Sequence, residues 1–206
     1  MDAKASPRLK PLPHDRDPEL KPGFEVARQR MGFIPNSQLI LQRRPGLVKA
    51  FRAFSGAIGG PESRLDGAMR ALITYACCTV TREPYVWAHA AHALAHAGQE
   101  AKLAAFNSYA SNALFSEKER ATIDYAKAAS TLPCNVTDDL IAALRHHWSE
   151  EETVEITALI GLYGFFDRYN AALATPLEPE VLGIARQYLS AEGWSPGRHE
   201  GAGHGA

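Results

Sequence analysis

The sequence predicts an all-α fold, and the signals that begin and end helices are the first observation behind this prediction. Pro45 opens an apolar-periodic stretch that stops at Gly59, and proline suits a first turn as glycine suits a helix end. Ser116 and Ser149 are each followed three residues later by a glutamate, which is the spacing of a capping box. No run of residues alternates apolar and polar side chains between turn signals, so no sheet is expected.

An internal repeat is the second observation that predicts helices. RALITYA begins at Arg70 and RATIDYA begins at Arg120, and five of their seven positions are identical. Each copy is predicted to open a helix that is followed by a second helix. Because a single helix pair cannot bury its own apolar face, the repeat predicts a duplicated helix pair packed in one bundle.

Length and composition divide the 206 residues into one folded domain and two flanking segments. Residues 1–23 contain five prolines and many charges, and they are predicted to form an extended arm. Residues 24–190 form the predicted all-α domain, and the Gly-rich residues 191–206 are predicted to be disordered. His199 and His204 fall in this last segment and are interpreted as tail residues without a ligand role.

Charge and hydropathy argue against several classes of function. The formal net charge is −1, from 22 basic and 23 acidic residues, which gives no support for a nucleic-acid partner. The longest apolar run, Ala158–Phe166, is far shorter than the ~20 residues that cross a membrane. No apolar leader follows Met1, and three cysteines, two of them adjacent, favour a reducing compartment. A cytoplasmic protein is therefore expected.

The stretch EPYVWAHAAHALAHAG, residues 83–98, contains most of the candidate functional residues. Pro84 suits a first helical position, so a helix is predicted to begin near Glu83. On this helix, an arc of about 60° holds four polar or aromatic side chains, namely Tyr85, His89, His92 and His96. Trp87 and Leu94 lie on the opposite side, which is the face predicted to pack into the core.

The stripe of histidines on this helix allows two interpretations. His92 and His96 stand at i and i+4, the spacing that two metal ligands use on a helix. The glutamate of an HExxH motif is missing from HALAH, and no third ligand accompanies the pair. A polar stripe that faces solvent or another subunit is therefore preferred, and no metal site is predicted.

Glu83 occupies a different kind of position from the histidines. A helix N-terminus presents unpaired N–H groups and partial positive charge. A carboxylate is stabilised there, and so is an anionic substrate or intermediate. The position is therefore consistent with a stabilising terminal charge or with a functional carboxylate.

Three segments, in their order and spacing, carry a family resemblance. They are MGFIPNSQLILQRRPGLVKAFRAF from Met31, SRLDGAMRALITYACCTVTREPYVWAHAAHALAHAG from Ser63, and the segment from Phe115 to Glu180 that begins FSEKERATIDYA. They resemble the carboxymuconolactone decarboxylase and AhpD-like alkylhydroperoxidase superfamily, over most of residues 31–180. The resemblance implies an AhpD-like helical bundle that assembles as a homodimer, trimer or hexamer.

The resemblance also implies which chemistry this chain lacks. The peroxidase branch carries a glutamate on the first core helix, a Cys-x-x-Cys that begins the second helix, and a histidine four residues further on. These four positions are occupied here by Ala71, Glu83, Val86 and Ala90. A thiol peroxidase needs a reactive cysteine and a resolving partner, and Cys77 and Cys78 lie on the preceding helix without that spacing. Thiol peroxidase activity is therefore disfavoured.

Other members carry a Tyr-x-Trp followed by a histidine at this place, and YVWAH, residues 85–89, is similar. By this resemblance His89 is the candidate general acid or base, since an unperturbed histidine has a pKa of about 6.5. Glu83 is a second acid/base or an orienting group, and Tyr85 is a polar contact in the pocket. The candidate substrate-binding residues are Trp87, His92 and Arg168. Arg168, in the late segment FFDRYNAAL, suits a substrate carboxylate or a salt bridge to an acidic side chain.

These features lead to the hypothesis of a cofactor-free enzyme that uses acid/base chemistry. The reaction would be a decarboxylation, isomerisation or elimination on a small cyclic organic acid, lactone or oxidised aromatic. The alternatives are an alkylhydroperoxidase-like redox enzyme and a non-catalytic binding or assembly protein. The expected partners are a small-molecule substrate and further copies of the chain, and neither nucleic acid nor a membrane. Titratable groups that meet in a pocket would favour an enzyme, and a collapsed apolar site would favour the non-catalytic alternative.

Overall fold

The computed structural model describes residues 7–200, and over this range the chain forms helices and no strand. The helices are α1 (Lys21–Met31), α2 (Asn36–Leu41), α3 (Pro45–Gly59), α4 (Gly67–Thr81), α5 (Pro84–His96), α6 (Glu100–Ala104), α7 (Glu117–Ala129), α8 (Asp138–Arg145), α9 (Glu150–Leu173) and α10 (Pro179–Leu189). Short 3-10 turns follow at Phe106–Ser108, Ser190–Glu192 and Gly197–His199. Within the described range, no helix combines the length and the apolar character that crossing a membrane requires.

The α4–α5 pair forms the centre of the bundle. The Asp66 side chain begins α4 by accepting a hydrogen bond from the Met69 N–H at 2.7 Å, and Arg82, at φ 53°, ends the helix. α5 packs against α4, α9 and α10. Trp87 and Leu94 are buried on it, as the helical arc predicted. Burial of such a side chain contributes about 1.5–3 kcal/mol, so these two residues stabilise the packing of α5 in the bundle.

The repeated heptapeptides occupy equivalent places in the bundle. RALITYA lies in α4 and RATIDYA lies in α7, each beginning at the fourth residue of its helix, and the two helices pack against each other. α5 follows the first copy and α8 follows the second. The capping boxes predicted at Ser116 and Ser149 are both formed, with Glu119 and Glu152 returning the hydrogen bond. The all-α fold with a duplicated helix pair is thereby confirmed.

The predicted N-terminal arm lies against the bundle. Between residues 7 and 20 it is not helical, and its backbone N–H groups at Arg8 and Leu12 donate to Leu173 at 3.1 Å and to Leu39 at 3.3 Å. α1 begins at Lys21, so the arm ends three residues earlier than the sequence predicted. A small apolar cluster then joins α1 to α3, with Phe24 and Val48 fully buried.

The prediction of a disordered tail is corrected for the residues that the structure describes. Trp194 and His199 are buried, with 7% and 5% of their surface exposed. The Trp194 indole N–H donates to the Pro84 carbonyl at 3.0 Å, and the Leu177 N–H donates to the His199 carbonyl at 2.8 Å. Tertiary contacts of these two side chains therefore order a segment whose glycines predicted disorder. His204 lies outside the described residues.

Candidate active site

Asp167 is a buried carboxyl group on α9 that has an incomplete set of hydrogen bonds. Only 8% of its surface is exposed, and its Oδ1 has no hydrogen-bond partner within the described part of the chain. Removal from water raises the pKa of Asp167 from its ordinary 3.8 to about 7; the Thr81 hydroxyl opposes this increase and the Glu83 carboxylate adds to it. The carboxyl group therefore holds its proton close to neutral pH and can both donate and accept one.

A cavity of about 910 Å³ opens beside this carboxyl group, between α4, α7, α9 and the loop that follows α7. We call it the Asp167 cavity. Its polar groups include Thr81, Glu83, Arg168 and the linked hydroxyls of Tyr125 and Thr157, which lie 2.7 Å apart. The volume lies within the range of about 300–1,000 Å³ that small-molecule sites occupy. The site is open, so the collapsed apolar arrangement expected for a non-catalytic member is not present here.

Glu83 is fixed at the rim of the Asp167 cavity by two contacts. It is the N-cap of α5, where its Oε2 accepts the Val86 N–H at 2.8 Å, as its predicted position at a helix start required. Its Oε1 lies 2.7 Å from Nε2 of His199. Burial lowers the pKa of His199, but the hydrogen bond and charge of Glu83 outweigh burial and raise the pKa overall. His199, which the sequence assigned to the tail, therefore holds this carboxylate.

A second buried carboxylate, Glu178, contacts two of the candidate residues of α5, Tyr85 and His89. Its Oε1 accepts the Tyr85 hydroxyl at 2.8 Å and the backbone N–H of Asn36, and its Oε2 lies 2.7 Å from Nε2 of His89. Burial would raise the pKa of Glu178, but the His89 charge and these hydrogen bonds lower it overall. The group joins α2, α5 and the residue that caps α10, and we call it the Glu178 cluster.

The structure divides the predicted site residues among four places, which are two cavities, the Glu178 cluster and the apolar core. Glu83 and Arg168 line the Asp167 cavity, whereas Tyr85 and His89 belong to the Glu178 cluster. Glu83 is the N-cap of α5 and lies against His199, whereas His89, six residues later, lies against Glu178. Glu83 and His89 therefore have different partners, and His89 is not among the residues that line the Asp167 cavity. His92 lines a different cavity, described below.

The contacts of Trp87 and Arg168 bear on the roles that the sequence allowed for each of them. Trp87 is 2% exposed and lies in the main apolar core, with the Arg82 guanidinium 5.2 Å from its ring centre. It has the core role that its place on the helix predicted. Arg168 donates from Nη1 to the Gly164 carbonyl at 2.7 Å, and it forms no salt bridge within residues 7–200. Of its two predicted roles, the salt bridge is not observed among these residues, and Arg168 is one of the residues that line the Asp167 cavity.

Sequence reasoning missed three groups that define these sites, namely Asp167, Glu178 and His199. Asp167 directly follows the apolar run ALIGLYGFF, and this position in the sequence indicates that the acidic side chain is buried. Glu178 stands between prolines and His199 between glycines and charges, so neither carries a local signal. Their burial depends on contacts with α5, which are distant in sequence.

Comparison with known proteins places this geometry in a known fold. No protein-family model matches the chain. The uncharacterized protein YnjA of Escherichia coli K12 is 29% identical over 160 residues, which are 77% of this chain and 88% of YnjA. A cysteine-to-alanine variant of the debrominase Bmp8, in complex with 2,3,4-tribromopyrrole, superposes with a TM-score of 0.80 at 27% identity, over 87% of this chain and 96% of that chain.

A third similar structure carries the AhpD name. It is the alkylhydroperoxidase AhpD core of a peroxidase-related protein from Ralstonia eutropha, with a TM-score of 0.69 and 20% identity, over 86% of this chain and 97% of that chain. These likenesses confirm the AhpD-like fold that the three sequence segments predicted.

Proposed function

We propose that this AhpD-like chain is an enzyme that transfers protons to and from a small cyclic organic acid, lactone or oxidised aromatic in the Asp167 cavity. The observation that carries the proposal is the buried Asp167 carboxyl group, whose Oδ1 has no hydrogen-bond partner among residues 7–200 and whose pKa is raised to about 7. An acid tuned to the working pH is most effective in proton transfer, because both of its forms are then populated. Structural ion pairs seldom leave such a group without a partner.

The proposed chemistry assigns proton transfer to Asp167 and substrate binding to Arg168 and Glu83. In a decarboxylation, the bond from the ring carbon to the carboxylate breaks, CO₂ leaves, and the electron pair stays on the ring. Asp167 then protonates that carbon and regains its proton from water. In an isomerisation, its carboxylate form removes a proton from one carbon and returns it to another. Arg168 binds the substrate carboxylate, and Glu83, oriented by His199, fixes the opposite edge of the ring.

The comparisons support a small flat ring as the substrate class. The debrominase Bmp8 has this fold and is described in complex with 2,3,4-tribromopyrrole. A ring of that size occupies only part of a cavity of about 910 Å³, which leaves room for a carboxylate at Arg168. We therefore include halogenated pyrrole acids with cyclic β-keto acids and unsaturated lactones in the substrate class.

Halogenated pyrrole acids, cyclic β-keto acids and unsaturated lactones are incubated with the protein in D₂O. CO₂ release and deuterium incorporation are measured by mass spectrometry. For a substrate that turns over, Asp167→Asn is expected to lower kcat by roughly 10²–10⁴, the loss typical of a general acid or base. Arg168→Met is expected to raise KM by roughly 10- to 100-fold, as loss of a charge-assisted hydrogen bond predicts. Arg186→Met, on the exposed side of α10, is the control and should change neither value. Normal kcat in Asp167→Asn would refute the assignment.

A thiol reaction is the second candidate, because Cys77 and Cys134 both line the Asp167 cavity. Burial raises the pKa of Cys77 to about 12, so this thiol is not ionised near neutral pH, and the thiolate is the nucleophile in such chemistry. Dithiol-driven reduction of cumene hydroperoxide is therefore expected at background, and the Cys77→Ser and Cys134→Ser variants should keep the acid/base activity. Peroxide turnover that either substitution abolishes would favour the thiol reaction instead.

A further inference from the structure

A second cavity, of about 820 Å³, lies on the other face of α9 from the Asp167 cavity. It is lined by residues of α1, α3, the start of α4, the second half of α5, and α9, and within residues 7–200 it shares no lining residue with the Asp167 cavity. We call it the arginine cavity. Its walls are mostly apolar, with aromatic rings contributed by Phe51, Tyr163 and Phe166. Its volume also lies within the range of small-molecule sites.

The charged and protonatable side chains that line the arginine cavity are all basic. Arg30, Arg52, His92 and His96 line it, and no aspartate or glutamate is among its lining residues. The two guanidinium groups are permanently charged. Burial, and then the charges of His89 and His96, lower the pKa of His92, so this ring contributes a neutral hydrogen-bonding group rather than a charge. The cavity therefore combines an apolar interior with an uncompensated positive charge.

Arg52 holds the most constrained of these charges. Its guanidinium lies against Gly23, where an added Cβ would overlap it, and 4.6 Å from the centre of the Phe24 ring. Its Nη1 donates to the Leu20 carbonyl at 3.1 Å, but its Nη2 is buried without a partner in the described chain. No carboxylate of residues 7–200 forms a salt bridge with it. The guanidinium is partly buried and its buried Nη2 lacks an acceptor, which is costly for a charged donor, so this arrangement favours an anion from outside the chain.

We propose that the arginine cavity binds a small organic anion, a carboxylate or sulfonate on a flat apolar body, whose charge pairs with Arg52 and Arg30. The apolar body fits between the aromatic walls and the small residues of α3 and α5. The bidentate geometry of a guanidinium suits a planar or tetrahedral oxyanion. This site is separate from the proposed active site, and its occupancy does not depend on catalysis.

Binding is tested with two fluorescent probes that differ mainly in one charge. 8-Anilino-1-naphthalenesulfonate carries a sulfonate, and N-phenyl-1-naphthylamine has the same ring system without it. The anionic probe is expected to bind the folded protein with a Kd at least tenfold lower than that of the neutral probe. Arg52→Met should raise the Kd of the anionic probe at least tenfold and leave that of the neutral probe within twofold. Arg44→Met, an exposed arginine at the start of α3, is the matched control and should change neither Kd.

A second variant covers the case in which Arg52→Met does not fold. Gly56 lines the arginine cavity, and a Cβ at this position meets no atom within 4 Å, so Gly56→Leu fills the space from an exposed helix position. It should weaken both probes at least tenfold while the melting temperature is maintained. Equal affinity for the two probes, or an unchanged Kd in both Arg52→Met and Gly56→Leu, would overturn the proposal. So would a stable oligomer, seen by sedimentation velocity, that excludes both probes from this face.

Discussion

Asp167→Asn is expected to make the protein more stable than the parent at pH 8, and equally stable at about pH 3.5. The folded-state pKa of Asp167 is raised from 3.8 to about 7 by burial, so the neutral form is favoured in the fold. The unfolded chain releases this proton near pH 4 and the folded chain releases it near pH 7. The contribution of Asp167 to stability is therefore fully present below pH 4 and is lost as the pH rises to 7. Asparagine is always neutral and avoids this loss, which is on the order of 4 kcal/mol.

Guanidinium denaturation of parent and variant, repeated between pH 3.5 and pH 8.5, measures this difference. The gain in unfolding free energy should grow between pH 4 and pH 7 and then level off. Asp15→Asn makes the same chemical change at an exposed position and should show no such trend. A pH-independent difference would mean that Asp167 is ionised in the fold, and the acid role proposed for it would fail. The measurement needs no substrate, so it tests the site before the reaction is identified.

The fold was predictable because its signals are local. Helix starts at Ser116 and Ser149 depend on a side chain and a backbone N–H three residues apart, which a sequence displays directly. The burial of Trp87 follows from the 100° spacing of helical side chains. The RALITYA and RATIDYA repeats predict that their two helices pack together, because each helix must cover the apolar face of the other. Such rules fix which residues are helical and which face is inside.

The site was predictable only in part, because pairs of buried charges depend on distant segments. Glu83 was identified at a helix N-terminus, which is a local feature. Its partner His199 lies in a Gly-rich segment that periodicity does not place, and the partner of His89, Glu178, lies between two prolines. A carboxylate that is costly to bury is retained only where such partners converge, and their convergence is a property of the folded chain. The sequence places the histidines of α5 on one stripe, whereas in the folded chain His89 contacts Glu178 and His92 and His96 line a separate cavity.

Glu178→Ala is expected to destabilise the protein by about 3–5 kcal/mol, the cost of removing one partner from a buried charged group. Glu178 is 4% exposed, and its oxygens are the acceptors for Tyr85 and the Asn36 N–H and the partner of His89. Removal of the carboxylate leaves the buried Tyr85 hydroxyl and two partly buried groups without this partner at the junction of three segments. For a chain of this size, the melting temperature should fall by about 10 °C or more.

Calorimetry or thermal circular dichroism measures this loss, with Glu180→Ala as the control because it removes the same group from an exposed position two residues away. The control should change stability by less than about 1 kcal/mol. The pKa of Glu178 lies below its ordinary value, so its contribution is present above the unfolded pKa and is lost as the pH falls. The parent and Glu178→Ala should therefore converge in acid. His89→Ala should reproduce part of the loss, and the double variant should lose less than the sum. If His89→Ala instead leaves stability unchanged and abolishes turnover, His89 is catalytic, and the structural role assigned to the Glu178 cluster is wrong.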